Sequence, residues 1–223
     1  MAIVSQEASA RWQNAAIPVA LEAAQMIELG ASSEAEMIAA FLRAEARSAA
    51  RFGPALEFAR RLIGAPSEVV DNPDTGDEAE NAARLEIFRR YRGYPEHLLF
   101  RGFPAVTWHR VQLEPGDFQR MRYAKEETTL VPLSGPSRLV TEGARNFQAG
   151  VPAAAPMIHI AAIVEAVKRG ERFPELIAAQ DTDGSLVLIE GHSRATGYVI
   201  AGRTDGIEAI VARAGSFAGW AFY

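Results

Sequence analysis

Apolar side chains follow two regimes along this chain. Up to about Tyr94 they recur three and four residues apart among alanine, glutamate and arginine, a spacing that predicts helices. Pro18 suits the first turn of a helix entered after Asn14 to Ile17, and that segment is expected to reach Leu29 and stop at Gly30. Ser33 and Glu36 have the spacing of a capping box ahead of Met37, Ile38, Phe41 and Leu42, which share one face. Gly53-Pro54 interrupts that helix, a third helix from Ala55 to Ile63 halts at Gly64-Ala65-Pro66, and Asp71 to Gly76 reads as a loop. Thr75 and Glu78 repeat the capping spacing before a helix to about Tyr91. Its second half carries Arg84, Arg89, Arg90 and Arg92 against Glu86.

From Phe103 the pattern changes. Ala105 to Leu113 alternates like a half-buried strand, and Met157 to Arg169 is helical, with Met157, Ile160, Ala161, Val164, Ile163 and Val167 sharing a face and Gly170 at its end. Leu176 to Ala179 and Leu186 to Glu190 are short apolar runs joined around Asp183-Gly184, a dipeptide suited to a tight hairpin. A helix from Ser193 to Ala201 and a strand from Ile207 to Ala212 follow. The ending from Phe217 to Tyr223 is too aromatic to stay in water, so it is expected to pack on the fold or on a second subunit, as in a homodimer. The expected class is α/β (α+β): a helical lobe over residues 1–95, then a small mixed sheet-and-helix domain over 103–223.

The composition narrows the function. With 223 residues, 48% of them hydrophobic, the chain has enough material for a substantial core. A net charge of −5 provides no global field for nucleic acid, so any such contact must rest on a local patch, for which Arg89, Arg90 and Arg92 are the candidates. The absence of cysteine removes disulfides, thiolate metal sites and thiol nucleophiles, and makes a cytoplasmic location the expected one. The apolar run Val151 to Val164, with two prolines and a histidine, is too short for a membrane span of roughly 20 residues. The apolar segment Ala15 to Leu21 follows Glu7 rather than a basic cluster, so no secretory signal and no membrane partner are expected.

The candidate chemistry lies in Leu186 to Ala195, a buried strand that turns through Gly191-His192-Ser193-Arg194 into a helix. Glycine allows the sharp turn, the first helical N–H groups lack intrahelical partners, and an imidazole, a hydroxyl and a guanidinium follow at once. These four residues are the expected phosphate or nucleotide site. The plainer alternative is a helix terminus in which Ser193 is the cap and Arg194 pairs with a nearby acid. Glu190 and His192 are the candidate catalytic groups, with Glu190, aided by Asp181 and Asp183, as the candidate ligand for a magnesium ion accompanying the nucleotide. Asp183 also simply suits the turn. His159, Glu165, Lys168 and Arg169 lie on the neighbouring helix, and the turn Ser134 to Arg138 is the candidate second wall of the pocket.

The order strand, helix, Gly-x-x-Phe-Pro, strand, Asp-Gly turn, strand, Gly-His-x-Arg, helix resembles the ParB/sulfiredoxin superfamily. The likeness covers about Ala105 to Arg213 and is carried by Arg172 to Ile177 and Ile189 to Arg194; the first ninety or so residues lie outside it. Sulfiredoxins place a reactive cysteine directly before the motif histidine, where this chain has Gly191, so sulfinic-acid reduction is excluded by chemistry. Chromosome-partitioning relatives usually carry Gly-Glu-Arg-Arg-x-Arg here, and two of those three arginines are missing. No helix-turn-helix is expected between Arg194 and Tyr223. What remains resembles the ParB-like nuclease group and the free-serine kinases of the superfamily. The resemblance implies a motif loop that holds nucleotide phosphates, with phosphoryl transfer or NTP hydrolysis as the activity. The alternatives are a DNA-binding or nuclease module and a non-catalytic structural or interaction protein.

Overall fold

The computed structural model describes residues 26–48, 52–95, 98–125, 127–152 and 158–223. The expected helix start at Pro18, and Met157 with its expected place on the apolar helix face, lie outside these residues.

A six-stranded mixed sheet organises the molecule: β1 (Ile27–Ser32), β2 (Thr107–Leu113), β3 (Met121–Arg122), β4 (Leu176–Gln180), β5 (Leu186–Glu190) and β6 (Ile207–Arg213), in the order β1-β2-β6-β4-β5-β3. β1 and β2 pair antiparallel, as do β2 and β6; β6 and β4 are parallel, β4 and β5 form the antiparallel hairpin, and β3 adds a short parallel edge to β5. The hairpin and the strand limits from Leu176 to Glu190 follow the sequence reading closely, with Gly184 at φ 80° in the turn.

Both faces of the sheet are covered. Along β4, β5 and β6, Ile177, Ala179, Val187, Ile189, Ile210 and Ala212 point into one core, while Leu176, Ala178, Leu186, Leu188, Ala209 and Val211 point into the other. The strands are therefore continuous apolar runs, the pattern of strands buried on two sides. The first core is closed by α1 (Glu34–Arg47), α2 (Gly53–Leu62), the short α3 (Glu68–Asp71) and α4 (Glu78–Arg92). It also takes in Phe217 and Trp220, whose indole N–H donates to Leu99 O at 2.6 Å, so this part of the aromatic ending packs on the fold. The second is closed by α5 (Pro115–Arg120), α6 (Val131–Ser134), α7 (Val140–Gln148), α8 (Ile158–Lys168) and α9 (His192–Ala201). Helices α8 and α9 cross closely because Gly197 has no side chain: a Cβ there would stand 2.4 Å from Ile163 Cγ2.

Three local expectations need correction. Leu29 and Gly30 do not end a helix; they lie in the edge strand β1, whose register shifts between Glu28 and Gly30, and whose pairing with β2 supplies the backbone partners that a helix would have supplied internally. Thr75 does not cap α4. Asp77 does, accepting from Ala79 N at 2.8 Å and Glu80 N at 3.1 Å, since its carboxylate reaches two orphan donors at once. Ser33 caps α1 as expected, accepting from Glu36 N at 3.1 Å, but the Glu36 carboxylate takes the Ser32 hydroxyl instead of closing the box.

Arg84, read from the sequence only as one of the arginines in the second half of α4, is buried. It is 1% exposed, and its fork binds Val69 O at 3.1 Å, Asp74 O at 2.7 Å and Glu80 Oε2 at 2.8 Å, tying α4 to the loop before it.

Candidate functional site

The strand β5 delivers the chain to Gly191, which has φ 98° and begins α9 with no side-chain cap on the helix. Any other residue here would be strained, and its Cβ would stand 2.4 Å from Leu176 Cδ2. The helix starts at His192, one residue earlier than expected, so Ser193 lies inside the first turn and is not the cap. The first intrahelical bond to be closed is Ala195 N to Gly191 O at 2.8 Å. The N–H groups of the preceding turn point out of the helix end, with the partial positive charge that accumulates there.

The three side chains of this turn leave in different directions. Arg194 turns inward and is 8% exposed. Its guanidinium donates to Pro174 O, to Glu175 O at 3.0 Å and to Glu190 Oε2, so the fork is committed to the start of β4 and the end of β5. Ser193 Oγ meets His159 Nε2 of α8 at 3.0 Å. His192 turns toward β3, where Ala124 N–H donates to its Nε2 at 3.4 Å and the Tyr123 ring stacks at 6.2 Å between centroids.

The environment of His192 decides its charge. Its ring lies inside packed protein although part of the residue stays exposed, and burial pushes its pKa below the ordinary value of 6.5 against the opposing pull of Glu127 and Glu190. A neutral ring also fits a geometry in which Nε2 accepts a hydrogen bond. Glu127 itself is anchored, with Oε2 accepting from Thr129 N at 3.0 Å, Val131 N at 3.2 Å and Leu130 N. The Tyr123 hydroxyl lies 2.7 Å from Thr196 Oγ1, which in turn donates to His192 O at 2.8 Å.

A pH dependence follows, and its sign is fixed by the direction of the shift. As pH falls below about 6.5 the unfolded chain takes up a proton at this position that the folded chain resists. The contribution of neutral His192 is therefore complete at neutral pH and is lost progressively as pH falls from about 6.5 toward the depressed folded value. Replacing His192 by Asn is expected to flatten the rise of stability with pH in that interval, measured by urea unfolding at steps from pH 5 to 7. An unchanged slope would show that the ring does not titrate in this environment.

The remaining expected site residues divide clearly. Glu190 stands at the turn, with one carboxylate oxygen given to Arg194. Asp183 makes the hairpin turn by accepting from Ser185 N at 2.8 Å, and Asp181 accepts from Thr182 N at 2.8 Å and from the Tyr223 hydroxyl. Glu165 pairs with Lys168 at 2.9 Å and Arg169 with Glu171 at 2.6 Å, on an exposed surface. Among the described residues, no group of three or more histidines and carboxylates is gathered in a way that holds a metal ion. The carboxylates expected to bind magnesium do not compose such a site by themselves.

Of the arginine cluster on α4, Arg90 pairs with Glu86 at 2.7 Å and Arg92 with Glu45 at 2.6 Å, the latter lying over the rings of Phe41, Phe52 and Tyr91 at 4.6–5.7 Å. Arg89 is exposed. No helix among the described residues is long and apolar enough to cross a membrane.

Sequence reasoning missed Tyr123, Glu127 and Thr196. Nothing in the spacing marks Tyr123 and Glu127, because β3 reaches the motif only through its pairing with β5, whereas Thr196 lies four residues after His192 on α9, a spacing that could have pointed to it. The turn Ser134 to Arg138 does come close: Arg138 Nη1 donates to Tyr123 O at 3.1 Å, and the N–H of that same peptide group is the one on His192. No protein-family model matches the chain, and no curated protein and no solved structure matches it at a significant level.

Proposed function

We propose that this chain is a ParB/sulfiredoxin-like protein that binds a nucleotide or another phosphorylated ligand at the turn from Gly191 into α9. The observation that carries this reading is the uncapped start of α9 after a positive-φ glycine, with the Ser193 hydroxyl in its first turn. Backbone N–H groups and a helix terminus of this kind complement a phosphate without a cationic side chain. Arg194 serves the site indirectly in this proposal, by fixing the turn, and is not counted among the ligand donors. His192 is a positioning group whose neutral ring holds the Tyr123–Ala124 peptide. Glu190, which keeps one carboxylate oxygen beyond its bond with Arg194, is the residue of this turn that would offer a hard donor to a magnesium ion accompanying the ligand.

A thermal-shift panel of ATP, ADP, CTP and GTP, with and without magnesium, tests the reading. At a ligand concentration of about 100 Kd the native state gains about 2.7 kcal/mol, a shift that is easily seen. Ser193→Ala removes one neutral hydrogen bond and is expected to weaken binding by about 2- to 10-fold, from about 0.5–1.5 kcal/mol. No shift with any nucleotide at millimolar concentration would sink the proposal.

A further inference from the structure

We propose that Ser193 and His159 form a nucleophile–base pair for acyl transfer, with a small uncharged carboxylic ester as the substrate class. This activity goes beyond the binding of a phosphorylated ligand at the α9 turn and does not depend on it.

Two helices bring the pair together. His159 and Ile163 lie one turn apart on α8, and Ser193 and Gly197 lie one turn apart on α9, so each helix carries its two residues on one face. Ile163 occupies the space that Gly197 leaves, where a Cβ would stand 2.4 Å from Ile163 Cγ2, and this contact sets how closely the helices approach. One turn nearer the start of both helices, the same approach places His159 Nε2 3.0 Å from Ser193 Oγ. A general base within that reach can take the proton of a hydroxyl. Both residues are half-buried, so the pair is held by packing and still accessible to a reactant.

The backbone around Ser193 supports the same role. Gly191-His192-Ser193-Arg194-Ala195 joins β5 to α9 with a small residue two before and two after the serine, the spacing of a nucleophile elbow where a strand turns into a helix. Both small residues are required by packing. Gly191 takes the positive φ against Leu176, and Ala195 is fully buried in the second core. The turn differs from an elbow in that the unusual backbone conformation falls on Gly191, while Ser193 already lies in regular helix. The N–H of Arg194, directly after the serine, is one of the helix-start donors with no intrahelical acceptor, and such a donor stabilises an oxyanion formed at the serine.

With the imidazole proton on Nδ1, His159 Nε2 accepts the Ser193 proton as Oγ attacks the ester carbonyl. The Oγ–C bond forms, and the carbonyl π pair moves onto its oxygen. When this oxyanion collapses, the C–O bond to the alcohol breaks and His159 returns its proton to the departing oxygen. Water then repeats the sequence on the acyl-serine and releases the carboxylic acid.

A fluorophosphonate, which loses fluoride as a serine oxygen bonds to its phosphorus, tests the pair on the full chain. The adduct is located by peptide mass spectrometry, and hydrolysis of p-nitrophenyl acetate is the second readout. One adduct at Ser193 is expected, none in Ser193→Ala, and both labelling and hydrolysis at least about 100-fold slower in His159→Gln. The absence of an adduct on wild type overturns the proposal whatever the stability of the variants, as does an adduct only at another residue. Labelling of folded His159→Gln at the wild-type rate overturns the role of the base. A wild type that is stabilised by nucleotide but stays unlabelled leaves the proposed function standing without this activity, and labelling at Ser193 without any nucleotide shift does the reverse.

Discussion

Replacing Arg194 by Ala is expected to destabilise the fold by about 3–5 kcal/mol, the range for breaking a buried pair by removing one partner. Three acceptors lose their donor together: the carbonyls of Pro174 and Glu175 where β4 begins, and the Glu190 carboxylate where β5 ends. The Glu190 side chain is only 18% exposed, so water restores little of what the guanidinium provided. Arg194→Lys keeps the charge but not the fork, and is expected to recover only part of the loss. Equilibrium unfolding of both variants, with Glu190→Gln to complete a double-mutant cycle, measures the effect and its coupling. The opposite outcome is informative. If Arg194→Ala unfolds like wild type yet loses nucleotide binding, this side chain faces the ligand and its role as a clamp is wrong.

Arg84→Ala is the second large effect, again about 3–5 kcal/mol, and it acts among the helices that close the first core. The buried fork is the main tie between α4 and the segment from Val69 to Asp74, with Asn81 and Glu80 as its partners on the helix itself. Its removal orphans two backbone carbonyls and leaves Glu80 holding only Asp74 N, at 3.0 Å. Arg84→Met fills the same space without the charge and is expected to cost less than alanine. Hydrogen exchange locates the damage. The segment from Val69 to Gly76 is expected to lose protection before the sheet does, and uniform loss over the whole chain would mean that Arg84 supports more than this loop.

The fold was legible wherever punctuation and periodicity coincide. The hairpin of β4 and β5, with Asp183-Gly184 between apolar runs, and α8, closed by Gly170, are of this kind. Edge strand β1 was not, because an alanine-rich approach and a glycine imitate a helix and its stop, and only pairing with β2 decides the matter. The site was half legible. Gly191 gave away the turn through its backbone freedom, but the direction of the next three side chains depends on what surrounds α9. The spacing of Glu190 and Arg194 was a usable signal for their pairing, since a residue and its fourth successor meet once a helix follows. No such signal connects residues 122, 123, 127 and 138 to the motif, because strand pairing and loop packing unite them.

Among the described residues the sheet order leaves β1 and β3 as outer strands, with β3 bridged on its far side at Arg122 by Leu139. An open strand edge invites addition of another chain, and neither edge offers much purchase for it. β3 is two residues long, and β1 is interrupted by the bulge between Glu28 and Gly30, with Glu28 held by His109 at 2.8 Å and Arg213 at 2.9 Å. Ile27 and Leu29, each 49% exposed, thus sit on a bent, charged margin that resists edge-to-edge polymerisation, and the same glycine that mimics a helix stop in the sequence serves as a guard against aggregation.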